Sequence, residues 1–180
     1  GQAARREGRN LPDNQPFAGH KVELTFDRNQ FKIQDWSGGI PIQVAQDYAF
    51  RFGRPDDAPD LNDGTIGLYG IGMKRAIFKM GNLVAMTTST GRESFSLNLN
   101  VDAWRRDPQA RRDEDGEEVM EWSFDLSDVR RNGTDVEIGT VITITSLYEG
   151  IWRQFDSPVF HERVRRMIAR DYAFILNQGL

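Results

Sequence analysis

The chain carries, at residues 35–40, the sequence Asp35-Trp36-Ser37-Gly38-Gly39-Ile40. Upstream of it, apolar and polar residues alternate over residues 22–26 and again over 31–33, with turn-forming residues at 27–30 between them. This pattern predicts a β-hairpin with one buried face. The second strand of that hairpin delivers the Asp35 carboxylate to a strand end, immediately before two glycines, and binding sites of sandwiched sheets commonly lie there.

A second glycine-bearing stretch follows at residues 67–74, Gly67-Leu68-Tyr69-Gly70-Ile71-Gly72-Met73-Lys74. Its glycines precede a helical pattern that is predicted over residues 70–80 and ended by the Gly-Asn pair at 81–82. Glycines at a helix start are suited to cradling phosphate, because the backbone amides can approach the ligand closely. A carboxylate at a strand end is suited to reading the edge of a base. The two stretches together predict a nucleotide pocket.

The rest of the chain predicts further helices and strands. A short helix is expected over residues 42–52, and the segment 53–66 is too rich in glycine, proline and aspartate for a regular element. Strands are expected over residues 83–88, 94–100, 119–126 and 136–147. A last helix begins after Ser157, with Pro158 in its first turn, and Gly179 lies beyond its end.

Length and composition exclude several classes of protein. With 180 residues and no internal boundary, the chain is expected to form one domain over residues 1–180. It has no cysteine, which excludes disulfides, thiolate zinc sites and cysteine nucleophiles. No apolar run approaches the roughly 20 residues of a membrane span, so no membrane partner is expected. The net charge of −4 gives no indication of nucleic-acid binding, and a cytoplasmic location is only the default.

Each stretch also has an ordinary explanation when it is taken alone. Residues 35–39 can form a simple turn between a strand and a helix. The glycines at 67–72 can serve close packing of a helix on a sheet. A third stretch, Gly139-Thr140-Val141-Ile142, is by itself a good strand sequence. Their order along the chain is a much rarer combination.

In that order the three stretches resemble the GHKL superfamily of ATPases, named for gyrase, heat-shock chaperone, histidine kinase and MutL. Residues 35–40 are similar to its first glycine box, with Ser37 in place of the usual first glycine. Residues 67–76 are similar to its second glycine box, and Gly139-Thr140 to its third signature. The resemblance covers about residues 21–150. It lies nearest the chaperone-like and Microrchidia-like branches.

The resemblance implies roles for individual residues. Asp35 would accept a hydrogen bond from the adenine amino group, Gly39 would let the backbone pass close to the nucleotide, and Thr140 would support Asp35 and an ordered water. For Lys74, contact with phosphate and a solvated helix face remain alternatives. The implied nucleotide-binding residues are Asp35, Gly39, Ile40, Gly67, Tyr69, Gly70, Ile71, Gly72, Met73, Lys74 and Thr140.

The implied fold is a two-layer α/β sandwich, a mixed sheet covered on one face by helices. The implied cofactor is ATP or ADP, with Mg²⁺ in a full-length parent. The family helix that carries a catalytic Glu and a metal-binding Asn is expected upstream of residue 1, and a transducer domain downstream of residue 180. No residue of this chain is therefore named as a catalytic group or a metal ligand, and the chain is expected to bind nucleotide without efficient hydrolysis.

The resulting function is nucleotide-driven closure of a lid, which acts as a conformational switch in an ATPase, a hydrolase. The expected partners of that ATPase are a protein client or a second copy of the chain, which would bind through the missing domains. The alternatives are a non-hydrolysing nucleotide sensor, or a protein-binding module that uses a degenerate cleft. An unrelated α/β domain with fortuitous glycines is a third alternative. Residues 54–66 are expected to be poorly ordered without nucleotide and more ordered with it.

Overall fold

The computed structural model describes residues 17–46, 71–106, 109–112, 118–121, 124–133 and 135–179. Within these ranges the strands are β1 (Val22–Phe26), β2 (Gln30–Asp35), β3 (Gly81–Ser89), β4 (Ser94–Asn100), β5 (Gln109–Arg112), β6 (Glu118–Glu121), β7 (Ser127–Arg130) and β8 (Gly139–Leu147). The helices are α1 (Ile42–Val44), α2 (Ile71–Met80), α3 (Val101–Arg106), α4 (Glu149–Phe155), α5 (Pro158–Asp171) and α6 (Ala173–Asn177).

The main sheet has six strands in the order β1-β2-β8-β3-β4-β7, and each of its pairings is antiparallel. The expected mixed sheet is therefore wrong in this detail. β2 and β3 nevertheless run parallel to each other, as expected of two strands that are joined by a helical crossover. β8 then lies between them and pairs antiparallel with both, so the two parallel strands never touch.

Helices cover one face of this sheet, which confirms the expected two-layer α/β class. Along β3, Val84 and Met86 are each 3% exposed, whereas Leu83, which points to the opposite face, is 42% exposed. Two apolar clusters fill the covered side. One is built around Ile42, Ala45, Met86, Phe95, Leu97 and Phe124, and the other around Ile77, Val84, Val101 and Ile144.

The predicted hairpin is confirmed as β1 and β2, with Phe26 opposite Phe31 beside the turn. The turn is held by the carboxylate of Asp27, which accepts hydrogen bonds from the amides of Asn29 at 2.7 Å and Gln30 at 3.0 Å. The predicted helix at 70–80 and the β3–β4 hairpin are also confirmed, within one or two residues. These elements depend on local patterns, which is why the sequence predicts them well.

Other predicted elements differ from the structure. The strand expected over 119–126 is instead β6, whose partner among the described strands is β5, in a separate two-stranded sheet. The main sheet ends with β7, whose four residues are all exposed and therefore show no alternation of buried and exposed positions. Of the helix expected over 42–52, the structure describes α1 and the two residues that follow it, 45 and 46, and the remainder lies outside the described residues.

The helices α4 and α5 are attached to the β1–β2 edge by an aromatic cluster. The Phe26 ring lies 4.8 Å from Phe155 of α4 and 6.0 Å from Phe160 of α5, measured between ring centroids. His161 packs edge-on against Phe26 at 4.8 Å, and its Nε2 shares a hydrogen bond with the Phe155 carbonyl oxygen. This histidine is therefore a packing residue. Within the described ranges, no helix is both long and apolar enough to cross a bilayer.

Candidate functional site

Three polar residues lie side by side on neighbouring strands at one end of the sheet. Asp35 of β2 is the register partner of Thr140 of β8, and Thr140 is the register partner of Thr88 of β3. We call these three residues the strand-end row. Each is separated by two positions along its strand from an apolar residue, namely Ile33, Ile142 or Met86. Because side chains alternate between the two faces of a sheet, the row lies on the helix-covered face.

The hydroxyls of the strand-end row are buried and bonded to each other. Thr88 is 1% exposed and Thr140 is 8% exposed, and their Oγ1 atoms lie 2.9 Å apart. Thr88 Oγ1 also donates to the Gly139 carbonyl oxygen at 3.1 Å. Because buried polar groups are costly unless they are bonded, these hydrogen bonds stabilise the burial of both hydroxyls.

The glycine loop (residues 36–41) is fastened directly beside the row. The Ser37 amide donates to Asp35 Oδ1 at 2.9 Å, which is the bond of an Asx turn, and the Ile40 amide donates to Thr88 Oγ1 at 2.9 Å. Ser37 is buried and is not among the described non-glycine residues with positive φ. A serine fits this position, because residues with a side chain disfavour positive φ.

Two glycines of the site are required by close approach of the backbone. At Gly39 φ is +65°, and a Cβ there would overlap the carbonyl group of Ser89 on β3. At Gly139 φ is +133°, and a Cβ would overlap the carbonyl oxygen of Asp35. The loop and β8 therefore lie against their neighbours at distances that no other residue permits.

The β3–β4 turn holds the loop from the other side. Its Glu93 carboxylate accepts a hydrogen bond from the Ile42 amide at 2.9 Å, at the first residue of α1. Ser89, which is fully buried, donates from Oγ to the Val136 carbonyl oxygen at 3.1 Å. Sequence reasoning missed Thr88, Ser89 and Glu93. The only available signal was the polar run Thr-Thr-Ser-Thr at 87–90, which is unusual for the end of a buried strand.

Of the second predicted stretch, the structure describes the residues that lie in α2. Gly67, Tyr69 and Gly70 lie outside the described residues, and Ile71 is the first residue of the helix. Met73 and Ile40 both pack against the core cluster that contains Ile42 and Met86, so the two glycine stretches share one core. No described atom lies within 4 Å of the position that a Cβ on Gly72 would take.

Lys74 is buried, with 2% of its surface exposed. The solvated helix face considered for this residue is therefore excluded. Burial lowers the pKa of the Lys74 amine, because removal from water disfavours its charged form.

The structure thus brings together Asp35, Gly39, Ile40 and Thr140, and places Gly72, Met73 and Lys74 on a helix that packs on the same core. His20 is buried in the segment before β1, next to the end of β2, because Val22 pairs with Asp35 and the Lys21 carbonyl oxygen accepts a hydrogen bond from the Trp36 amide. Among the described residues, no group of three histidine, aspartate or glutamate side chains could hold a metal ion.

Neither a protein-family model nor a curated protein matches the sequence. Among solved structures, the MutL ATPase domain of Aquifex aeolicus complexed with ADP is similar over 84% of this chain, with a TM-score of 0.43 and 11% identity. The N-terminal domain of a DNA repair protein is similar over 91% of this chain, with a TM-score of 0.40 and 15% identity. This chain spans 46% and 40% of those two chains. TM-scores below 0.5 do not establish a common fold.

Proposed function

We propose that the chain binds an adenine nucleotide, ATP or ADP, at the strand-end row. The observation that carries this proposal is the combination of the Asp35 carboxylate with two buried, mutually bonded threonine hydroxyls beside a loop whose Gly39 allows no side chain. The order of the glycine stretches, with its resemblance to the GHKL ATPases, supports the same proposal.

The adenine end of the site is formed by Asp35 and Thr140. An ionised carboxylate can only accept hydrogen bonds, and the 6-amino group of adenine can only donate them. One oxygen of Asp35 holds the Ser37 amide, which fixes the orientation of the carboxylate before any ligand arrives. A carboxylate fixed in this way recognises the amino group at little further cost in conformational entropy.

The phosphate end is proposed at the start of α2. The first amides of this ten-residue helix have no partner within the helix, and the helix dipole favours an anion there. The proposed contacts are Gly67, Tyr69, Gly70, Ile71, Gly72 and Met73 through the backbone, and Lys74 through its amine. A phosphate near Lys74 would favour its charged form and so raise the pKa that burial lowers.

Mg²⁺ and hydrolysis are proposed only for a longer parent. Magnesium in nucleotide sites usually takes one or two carboxylates together with phosphate oxygens. The described residues offer no cluster of such ligands, so no step is assigned to a metal in this chain. Hydrolase activity, a chaperone-like or Microrchidia-like role, a protein client and a cytoplasmic location likewise remain proposals. A nucleotide sensor without hydrolysis is the alternative for the same site.

Isothermal titration tests the proposal directly. ATP and ADP, each with and without Mg²⁺, are expected to bind with a stoichiometry of one, because the site is formed by a single chain. Binding without Mg²⁺ should persist, since the proposed contacts come from protein groups alone. If neither nucleotide gives heat at high protein concentration, the central proposal is lost.

We also propose that residues 54–66, which lie outside the described residues, act as the lid. Backbone amides in this segment are expected to exchange with solvent faster without nucleotide than with a non-hydrolysable ATP analogue, because closure would bury them. Hydrogen exchange measured by mass spectrometry resolves this segment, with the β1–β2 hairpin as an internal control. Equal exchange in both states would count against a lid.

A further inference from the structure

We propose that Thr88 is a positioning residue that sets which way the Thr140 hydroxyl points its proton, and thereby selects a ligand edge that donates hydrogen bonds. The inference rests on the proposed nucleotide site and deepens it. Thr88 is not part of the motifs that predict the site, and its hydroxyl makes three contacts there.

The three contacts of Thr88 Oγ1 leave one consistent arrangement of protons. A hydroxyl has one proton to donate and two lone pairs to accept with. The Ile40 amide donates to Thr88 Oγ1, which occupies one lone pair. If Thr88 gives its proton to the Gly139 carbonyl oxygen, the second lone pair remains for the Thr140 hydroxyl, and all three contacts are hydrogen bonds.

The opposite arrangement loses a bond. If Thr88 donated to Thr140 instead, no proton would remain for Gly139, because a hydroxyl carries only one. The buried carbonyl would then lose this bond, which is costly at a site where Thr88 is 1% exposed. We therefore infer that Thr140 donates to Thr88.

This direction determines what Thr140 can offer a ligand. With its proton engaged by Thr88, the Thr140 oxygen presents only lone pairs. Its register partner Asp35 also presents only lone pairs, and Cβ atoms of such partners lie about 4.5–5.5 Å apart. Two acceptors side by side match an amino group, which has two protons to donate, or a water held in the same way. They oppose a carbonyl oxygen.

The test compares ATP with inosine triphosphate, which carries a carbonyl oxygen where adenine carries the amino group. The native chain is expected to prefer ATP. Thr88→Val removes the acceptor for the Thr140 proton, so that Thr140 can turn and donate to the inosine carbonyl. The ratio of the affinity for ATP to the affinity for inosine triphosphate should then fall by about fivefold to tenfold. Thr88→Ser, which keeps the hydroxyl, should retain the native preference.

A purely structural role predicts a different result, namely equal weakening of both nucleotides by Thr88→Val. That outcome would overturn the inference. Thr87→Val is the matched control, because Thr87 lies on the same strand but on the opposite face, and it should leave the preference unchanged. Any narrowing by Thr87→Val equal to that of Thr88→Val would also count against the proposal.

A second measurement does not depend on nucleotide and separates this inference from the proposed function. Without ligand, the Ile40 amide should exchange at least about tenfold faster in Thr88→Val than in Thr88→Ser, because only serine can accept its hydrogen bond. If the native chain binds no nucleotide, the proposed function fails and the claim of selection fails with it. Equal Ile40 exchange in the two variants overturns the positioning role itself, whatever the chain binds.

Discussion

Asp35→Asn is expected to weaken ATP binding by at least about tenfold, which corresponds to about 1.4 kcal/mol. Asparagine keeps one oxygen, which can still accept the bond from the Ser37 amide at the start of the glycine loop. Its other terminal atom becomes an amide nitrogen with two protons. Where that nitrogen faces the adenine amino group, two donors meet and a buried hydrogen bond is replaced by an unsatisfied contact.

The chain offers a matched control for this substitution. Asp27, in the exposed β1–β2 turn, accepts the same type of bond at its Oδ1, from the amide two residues later. Weakening of the Asx turn should therefore lower the stability by about the same amount in Asp27→Asn and in Asp35→Asn. Asp27→Asn should leave the affinity for ATP unchanged. Titration calorimetry on both variants separates loss of ligand recognition from loss of an Asx turn. Equal affinities of the two variants would remove Asp35 from the site.

The same carboxylate predicts base selectivity in the native chain. Guanine presents a carbonyl oxygen where adenine presents its amino group, so GTP would set two acceptors against each other. Leaving a buried acceptor unsatisfied costs on the order of 1–3 kcal/mol. GTP is accordingly expected to bind much less well than ATP. Equal affinities for the two nucleotides would contradict the role of Asp35 even if both bound tightly.

Gly39→Ala is expected to destabilise the protein by about 2–5 kcal/mol and to abolish nucleotide binding. Left-handed backbone costs a residue with a side chain about 1–2 kcal/mol, and overlap in a packed region costs about 1–3 kcal/mol more. At Gly39 both apply, since φ is +65° and the new methyl group would overlap the Ser89 carbonyl group. The loop must then move away from β3, which breaks the bond between the Ile40 amide and Thr88.

Gly19→Ala separates the cost of a left-handed backbone from the cost of steric overlap. Gly19 has a φ of +79°, but no described heavy atom outside Gly19 and its two chain neighbours lies within 4 Å of the position that a Cβ would take. Alanine there should incur the backbone cost alone, about 1–2 kcal/mol, and leave nucleotide binding intact. Urea unfolding of the two variants gives the difference. If Gly39→Ala is no less stable than Gly19→Ala, the close approach of the loop to β3 does not hold the site.

Much of the local structure could be predicted because it follows from short-range patterns. The β1–β2 hairpin has alternating apolar residues on both sides of a turn, and α2 has helical periodicity ended by a glycine. The strand order could not be predicted, because pairing of β8 with both β2 and β3 depends on contacts at least 50 residues apart in sequence. β7 was missed because its exposed residues carry no pattern of burial.

The candidate site was predicted only where a residue type is unusual for its position. Asp35 and Gly39 stand out because a carboxylate and glycines interrupt an apolar pattern. Thr88 does not, because threonine is an ordinary strand residue whatever it contacts. Whether Lys74 was solvated or buried also could not be decided from the sequence, since its burial depends on how α2 packs on the sheet.

The central place of β8 has a consequence for how the chain is made. β2 and β3 leave the ribosome well before residues 139–147, and until β8 arrives each of them has one unpaired edge. Such edges are templates for pairing with other chains, so the nascent protein is exposed to aggregation while residues 90–138 are translated. Insertion of one late strand then closes both edges at once and aligns the strand-end row. A chain that ends before Gly139 would have neither the strand that joins β2 to β3 nor Thr140 of the strand-end row.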